Sequence, residues 1–266
     1  MLLSAAFLAG AINALAGGGT LVTFPTLLWL GVDPIVANAT NTVALWPGSL
    51  AALIGLRSEL GVVRRWAVWL GVPSVAGAAV GAALLLRTPS STFAAIVPYL
   101  ILFATGLFAL QGALARRLRH APGTARRGQG QAPPTGVERN KDDEASPELG
   151  WALVVAFQFA VAIYGGYFGA GIGIMMLAGL GLFGLTDVHR MVGLRNFCGT
   201  LINAVAAALF IARGTVDWPY ALIMTGGQIV GGYGGARLVR RLGATAVRWT
   251  VVAIGTGMGI GLLLFK

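Results

Sequence analysis

Ten apolar segments alternate with polar breaks along this 266-residue chain. Runs such as 66–86 and 93–114 approach the ~20 apolar residues that a helix needs to cross the ~30 Å hydrocarbon core of a bilayer. The pattern predicts an all-α polytopic membrane protein with about 8–10 transmembrane segments. The predicted limits are 1–16, 17–31, 34–56, 66–87 and 90–115, then 149–168, 169–185, 188–212, 217–237 and 244–265.

Composition supports a membrane location. The chain is 56% hydrophobic and 11% charged, with a mean hydropathy of +0.78, whereas roughly 25% of the residues in a soluble domain are charged. The net charge of +10 is concentrated in the loops 57–65, 116–141 and 237–248. This bias is typical of cytoplasmic loops in membrane proteins, so no nucleic-acid partner is expected. The apolar N-terminus has no basic residues before it and is interpreted as a retained segment rather than a cleaved signal.

A polar stretch at 116–148 separates two groups of five segments. It is rich in Arg, Gly, Pro, Gln and acidic residues, a composition that cannot bury a core and predicts a flexible linker. The predicted organisation is therefore a first transmembrane repeat at 1–115, a cytoplasmic linker at 116–148 and a second repeat at 149–266.

The two halves resemble each other in the order of their features. AGGGTLVTFPTLLWLGVDP, from residue 16, aligns with FGAGIGIMMLAGLGLFGLTD, from residue 168. This alignment places Asn41 opposite Arg195 and Ser49 opposite Asn203. With the basic loops in the cytoplasm, both termini lie outside and the halves start on opposite sides, which predicts inverted repeats. The prediction is unchanged if the short glycine-rich segments form re-entrant hairpins.

Glycine clusters at 17–19 and at 169, 171 and 173 stand inside otherwise apolar segments. A broken helix inside a bilayer is tolerated only where it is buried in protein or lines a cavity. The helix that restarts after each cluster would present free N–H groups and a positive dipole end, which together favour anions. Two such ends meeting near mid-membrane would form one site. The alternative is that these glycines only permit tight helix packing.

Polar side chains in the third and eighth segments extend this hypothesis. Asn38 and Asn41 share one helix face, as do Asn196 and Asn203, and such amides bond either to another helix or to a ligand. Arg195 is an intramembrane cation that could grip an oxoanion, or could reach the headgroups beside Arg190. Trp46, Pro47 and Ser49 are predicted to interrupt the third segment. The predicted substrate site comprises Gly17, Gly18, Gly19, Thr20, Asn38, Asn41, Ser49, Gly169, Gly171, Arg195, Asn196 and Asn203.

The acidic residues argue against other functions. All nine lie in predicted loops or at segment ends, which leaves no mid-membrane carboxylate for a proton relay or a cation site. Asp33 and Asp187 are predicted to cap the helices that follow them. Two histidines, in the linker and at a helix start, form no zinc cluster, and Cys198 has no histidine partner. Neither an enzyme nor a bound metal or cofactor is expected.

The two aligned stretches resemble the sulfite exporter TauE/SafE family, also called the toluenesulfonate uptake permeases. The resemblance rests on the glycine turn, proline, Asn/Thr run and PGS of AGGGTLVTFPTLLWLGVDPIVANATNTVALWPGSLAAL, and on GYFGAGIGIMMLAGLGLFGLTDVHRMVGLRNFCGTLINAVAA. Where many relatives have a Gly-Thr-Ser run, this chain has GLRNFCGT. The family's motifs fall on Gly17, Gly18 and Gly19, on Asn38, Thr40, Asn41 and Thr42, and on Pro47, Gly48 and Ser49.

The resemblance implies a bacterial inner-membrane transporter of small sulfur-containing anions, such as sulfite or organosulfonates. Its expected partners are that anionic substrate and the lipid bilayer, and a homo-oligomer is compatible with the sequence. A carrier of carboxylates and a non-transporting membrane scaffold are the alternatives. Proton coupling would have to run through the substrate or His189, and a passive uniporter is equally compatible with the sequence.

Overall fold

The computed structural model describes residues 1–16, 18–55, 64–119, 148–182, 188–231 and 244–264, and these ranges contain ten α-helices and no strand. The all-α prediction is confirmed for this part of the chain. The described helices are α1 Leu2–Ala16, α2 Thr20–Trp29, α3 Pro34–Gly55, α4 Arg64–Arg87, α5 Ser90–Arg119, α6 Glu148–Tyr167, α7 Ile172–Leu182, α8 Val188–Ala212, α9 Trp218–Val230 and α10 Ala244–Leu264.

Three helical stretches are long and apolar enough to cross a bilayer by length and composition: Trp66–Arg87, Ser90–Leu110 and Arg190–Ala212. Shorter apolar helices accompany them in both halves. Together they support an all-helical membrane protein. The larger number of spans and the inverted arrangement stay predictions.

Helix α2 is too short to cross the membrane alone. Its 10 residues extend for about 15 Å, half of the ~30 Å hydrocarbon core. The helix ends at Trp29. Gly31, which follows, has φ 78°, and the amides of Gly31 and Val32 donate to the carbonyls of Leu28 and Leu27, as in a Schellman motif. Asp33 then caps α3, because its Oδ1 accepts the amide of Ile35 at 2.9 Å. The predicted cap at Asp33 is confirmed, and Asp187 lies outside the described residues.

Helix α3 is unbroken from Pro34 to Gly55, so the predicted interruption at Trp46, Pro47 and Ser49 is wrong. A proline removes one backbone donor but need not end a helix whose neighbours surround it in a membrane. Pro25, Pro73 and Pro98 likewise lie inside helices.

Helices from the two halves pack against each other rather than forming two separate bundles. The main contacts pair α4 with α6 and with α8, α9 with α1 and with α3, α3 with α8, and α5 with α10. The core that results includes phenylalanines from both halves, among them Phe24, Phe93, Phe108, Phe168 and Phe210.

Glycines allow the closest of these contacts. A Cβ atom on Gly81 of α4 would overlap the carbonyl oxygen of Ile163 on α6, and a Cβ on Gly231 would overlap the carbonyl oxygen of Phe7 on α1. The absence of a side chain therefore brings two helix backbones into direct contact, as small residues do at membrane helix interfaces.

We expect Gly81→Ala to destabilise the folded protein by about 1–3 kcal/mol, because the added methyl group forces α4 away from α6. Gly106→Ala on α5 is the matched control, since a Cβ there meets no atom within 4 Å and alanine favours helix. Thermal unfolding in detergent measures both variants. Equal melting temperatures for the two would contradict the packing argument.

Candidate functional site

The turn between α6 and α7 depends on two glycines in the left-handed region. Gly169 has φ 81° and Gly171 has φ 82°, conformations that cost other residues about 1 kcal/mol or more. Tyr164 holds this turn from inside α6. Its carbonyl accepts the amides of Phe168 and Gly169 at 2.9 and 3.2 Å, and its hydroxyl donates to the carbonyl of Ala170 at 2.8 Å. The amide of Gly169, predicted as a donor to substrate, is therefore already engaged.

The turn between α1 and α2 relies on close packing instead. A Cβ on Gly18 would overlap the Phe108 ring, and one on Gly19 would lie 2.8 Å from the carbonyl oxygen of Ala9. Gly19 itself has φ −56°. The carbonyls of Gly18 and Gly19 accept the amides of Leu21 and Val22 at 3.1 and 3.0 Å. Gly17 lies outside the described residues.

Helix α5 brings the two turns together. Its Phe108 lies over Gly18, and its Ala104 and Leu107 lie 3.6 and 3.5 Å from the position of a Cβ on Gly171. Phe24 of α2 also contacts Phe168 directly, with ring centroids 5.3 Å apart in an edge-to-face arrangement. Both breaks are therefore buried in protein, within about one helical turn of each other along α5.

The asparagines of α3 connect to the same two turns. Asn38 donates from Nδ2 to the carbonyl of Tyr167, the last residue of α6, at 3.1 Å. Asn41 accepts at Oδ1 from the hydroxyl of Thr23 on α2, and that hydroxyl also lies 3.1 Å from the Gly19 carbonyl. One face of α3 thus binds the end of α6 and the start of α2. Bonds between helices thus use the Asn38 amide nitrogen and the Asn41 oxygen. Oδ1 of Asn38, however, is buried without a hydrogen-bond partner among the residues that the structure describes.

Arg195 of α8 lies against the start of α7. A Cβ on Gly173 would lie 2.6 Å from Nε and 3.0 Å from Cζ of Arg195, so the bare glycine makes room for the guanidinium. Within the described ranges the half-buried Arg195 side chain makes no hydrogen bond or ion pair. In the same ranges no backbone carbonyl accepts the amides of Ile172 and Gly173. A cation and a helix N-terminus therefore converge at this turn.

The other residues predicted for the substrate site do not take part in the contacts described above. Thr20 begins α2 and is half-buried. Ser49 bonds within α3, and its carbonyl accepts from Thr200 of α8 at 3.2 Å, which places it at the contact between α3 and α8. Asn196 and Asn203 are half-buried, and their side chains form no hydrogen bond within the part of the chain that the structure describes.

Three residues at the turns were not predicted from the sequence: Thr23, Phe108 and Tyr164. The sequence could have identified Thr23 and Tyr164, since each is a polar residue within a few positions of a glycine cluster. A turn in a membrane leaves backbone groups that such side chains can satisfy. The sequence does not single out Phe108, because it is one of many apolar residues in α5.

The chain is similar to proteins that are named as membrane transporters. Over 251 residues, covering 92% of this chain and 87% of the relative, the chain is 32% identical to a Haemophilus influenzae protein named "Probable membrane transporter protein". It is 27% identical to "Probable membrane transporter protein ORF9" of Sinorhizobium sp, over 97% of this chain and 90% of that one. It is 28% identical to "Probable membrane transporter protein YfcA" of Escherichia coli K12, over 97% of this chain and 87% of that one.

No solved structure matches the chain significantly. The family model described as "Sulfite exporter TauE/SafE" matches residues 2–262, which is nearly the whole sequence. The chain therefore belongs to the sulfite exporter TauE/SafE family.

Proposed function

We propose that this protein is a secondary transporter of small oxoanions, sulfur-containing ones such as sulfite or organosulfonates, across the bacterial inner membrane. The family and the names of the relatives support membrane transport. The observation that supports an anionic substrate is the position of Arg195. Its guanidinium lies at the start of α7 beside Gly173, with no protein counter-ion in the described residues.

An anion complements this arrangement physically. A cation removed from water is costly unless a negative charge compensates it. The first amides of α7 add a positive helix end, and a guanidinium binds an oxoanion through two parallel hydrogen bonds. Asp33 and Asp217 cap α3 and α9, so their carboxylates accept backbone amides at those helix starts.

An inverted duplication explains how the site could open to either side. Each contact between the halves has a counterpart: α4 with α6 corresponds to α9 with α1, and α4 with α8 corresponds to α9 with α3. The glycine contacts also recur. A Cβ on Gly166 would overlap the carbonyl oxygen of Ala78, and a Cβ on Gly10 would overlap the carbonyl oxygen of Gln228. Rocking of one half against the other about the central contact of α3 with α8 would then alternate access.

Aromatic residues bring the starts of α4 and α6 together, which supports placing the two adjoining basic loops on one side of the membrane. Trp151, near the start of α6, lies 4.5 Å from Trp66 and 6.1 Å from Trp69, near the start of α4, measured between ring centroids. Tryptophan is enriched at membrane interfaces, and both helix starts adjoin the basic loops. These loops would face the cytoplasm, with the chain termini outside.

Cysteine labelling tests this orientation in a Cys198→Ser background, because Cys198 is the only natural cysteine. We expect Arg213→Cys to react with a membrane-impermeant maleimide in intact cells. Pro134→Cys, in the central linker, should react only after lysis. The reverse pattern would show the opposite orientation.

Arg195→Leu should weaken substrate binding about 10-fold to 100-fold, since a hydrogen bond to a charged group contributes about 1.5–3 kcal/mol. The assay is uptake of labelled sulfite into proteoliposomes. Arg213→Leu is the control, because Arg213 is exposed between α8 and α9, and it should change uptake less than twofold. Normal uptake by Arg195→Leu, or no uptake by the wild type, would reject the proposed site. Competition by succinate as strong as that by sulfonates would favour a carboxylate carrier.

Gly171→Ala should lose transport, whereas Gly214→Ala should retain it. Both glycines have positive φ, 82° and 66°, so alanine costs each about 1 kcal/mol or more through the same strain. Only Gly171 lies in the turn beside α7. Comparing uptake at matched amounts of folded protein separates this role from stability. A similar loss in both variants would mean that the turn matters only for folding.

A further inference from the structure

We infer that the site selects anions that carry their own hydrogen-bond donor, and that Oδ1 of Asn38 is the atom that recognises this donor. The inference rests on the proposed function. It adds a specificity-determining residue and a narrower substrate class: an oxoanion that bears a hydroxyl, an ammonium group or an acidic proton.

The orientation of the Asn38 amide is fixed by its neighbour. Its Nδ2 donates to the carbonyl of Tyr167 at 3.1 Å. The reversed amide would place two acceptor oxygens against each other, so the hydrogen-bond pattern identifies the atoms. The other branch of the amide is therefore the acceptor Oδ1, which has no partner in the described part of the chain although Asn38 is only 1% exposed.

Two threonines near this face of α3 direct their hydroxyls to other acceptors. Thr23 directs its hydroxyl towards Asn41 and the Gly19 carbonyl. Thr42 donates to the backbone carbonyl of Asn38 at 2.8 Å. A buried acceptor left without a donor costs about 1–3 kcal/mol, so this oxygen favours any bound molecule that brings one.

The unpaired oxygen belongs to the same turn as the proposed anion site. Asn38 binds the carbonyl of Tyr167, and Gly173, against which Arg195 lies, follows six residues later. Asn38 thus contacts this turn at Tyr167, and Arg195 contacts it at Gly173. A solute with an anionic group and a separate donor satisfies both, whereas a simple anion leaves the Asn38 oxygen unpaired.

Two sulfonates of nearly equal size test the inference. 2-Hydroxyethanesulfonate and propane-1-sulfonate have the same charged group and differ by a hydroxyl in place of a methyl. Isothermal titration calorimetry of the full-length protein in nanodiscs gives both dissociation constants. We expect the wild type to bind the hydroxyl compound about 10-fold to 100-fold more tightly. Asn38→Leu should bring the ratio of the two constants close to one.

Thr105→Val is the matched control, because it also removes a buried, unpartnered side-chain oxygen. That oxygen lies against Gly255, where α5 meets α10, so this variant should keep the wild-type ratio. The ratio is measured within one sample and does not depend on the fraction of protein that is folded. The wild-type ratio tests the inference even if Asn38→Leu does not fold.

Equal binding of the two sulfonates by the wild type, or an unchanged preference in Asn38→Leu, overturns the inference and leaves the proposed function standing. Loss of preference in Thr105→Val as well would also overturn it. So would a dependence of both affinities on Na⁺ with no preference between the sulfonates, because the oxygen would then bind a cation. If the wild type binds neither sulfonate nor sulfite, the proposed function itself fails.

Discussion

The structure depends on one constraint: a helix that breaks inside hydrocarbon must have its backbone groups satisfied by protein. At the second turn, between α6 and α7, Tyr164 satisfies backbone groups in two ways. Its carbonyl accepts two amides, and its hydroxyl donates to the carbonyl of Ala170. Asn38 satisfies the carbonyl of Tyr167 from the other half of the chain. The groups left over are the first amides of α7. In the proposed function, these amides form part of the anion site.

Close contact between helix backbones is also required, because short helices contribute little stability unless neighbouring helices pack against them. The contacts of α4 with α6 and of α9 with α1 use glycine against a carbonyl in the same way, at Gly81 with Ile163 and at Gly231 with Phe7. The two turns between these contacts nevertheless differ. Among the described glycines of the two turns, only Gly169 and Gly171 between α6 and α7 have positive φ, and Arg195 aligns with Asn41 of the first half. The helix contacts on either side of the two turns are thus similar, but the turns differ in charge, and the anion site that we propose uses the cation of the second half.

Much of the fold could be predicted from hydrophobic periodicity, since helix ends at Ala16, Pro34, Arg87 and Ala212 agree with the predicted segment limits. The glycine breaks and the cap at Asp33 were also predictable, because glycine and aspartate have local conformational preferences. The contact of Arg195 with Gly173 and the role of Phe108 were not, because they depend on how distant helices pack. The continuity of α3 through Pro47 shows the same limit: a local preference against helix was outweighed by the surrounding helices.

Helix α3 would link the proposed site to the movement that alternating access requires. It binds both turns through Asn38 and Asn41, contacts α8 through Ser49 and Thr200, and accepts the amide of Asp217 at Thr40. A displacement of α8 relative to α3 would therefore move Arg195 relative to the turn that Asn38 holds. If the bound anion bridges Arg195 and the turn, its binding energy favours the arrangement in which they are close. Release would then follow from any motion that separates α3 from α8, so a single helix pair can couple occupancy of the site to its accessibility.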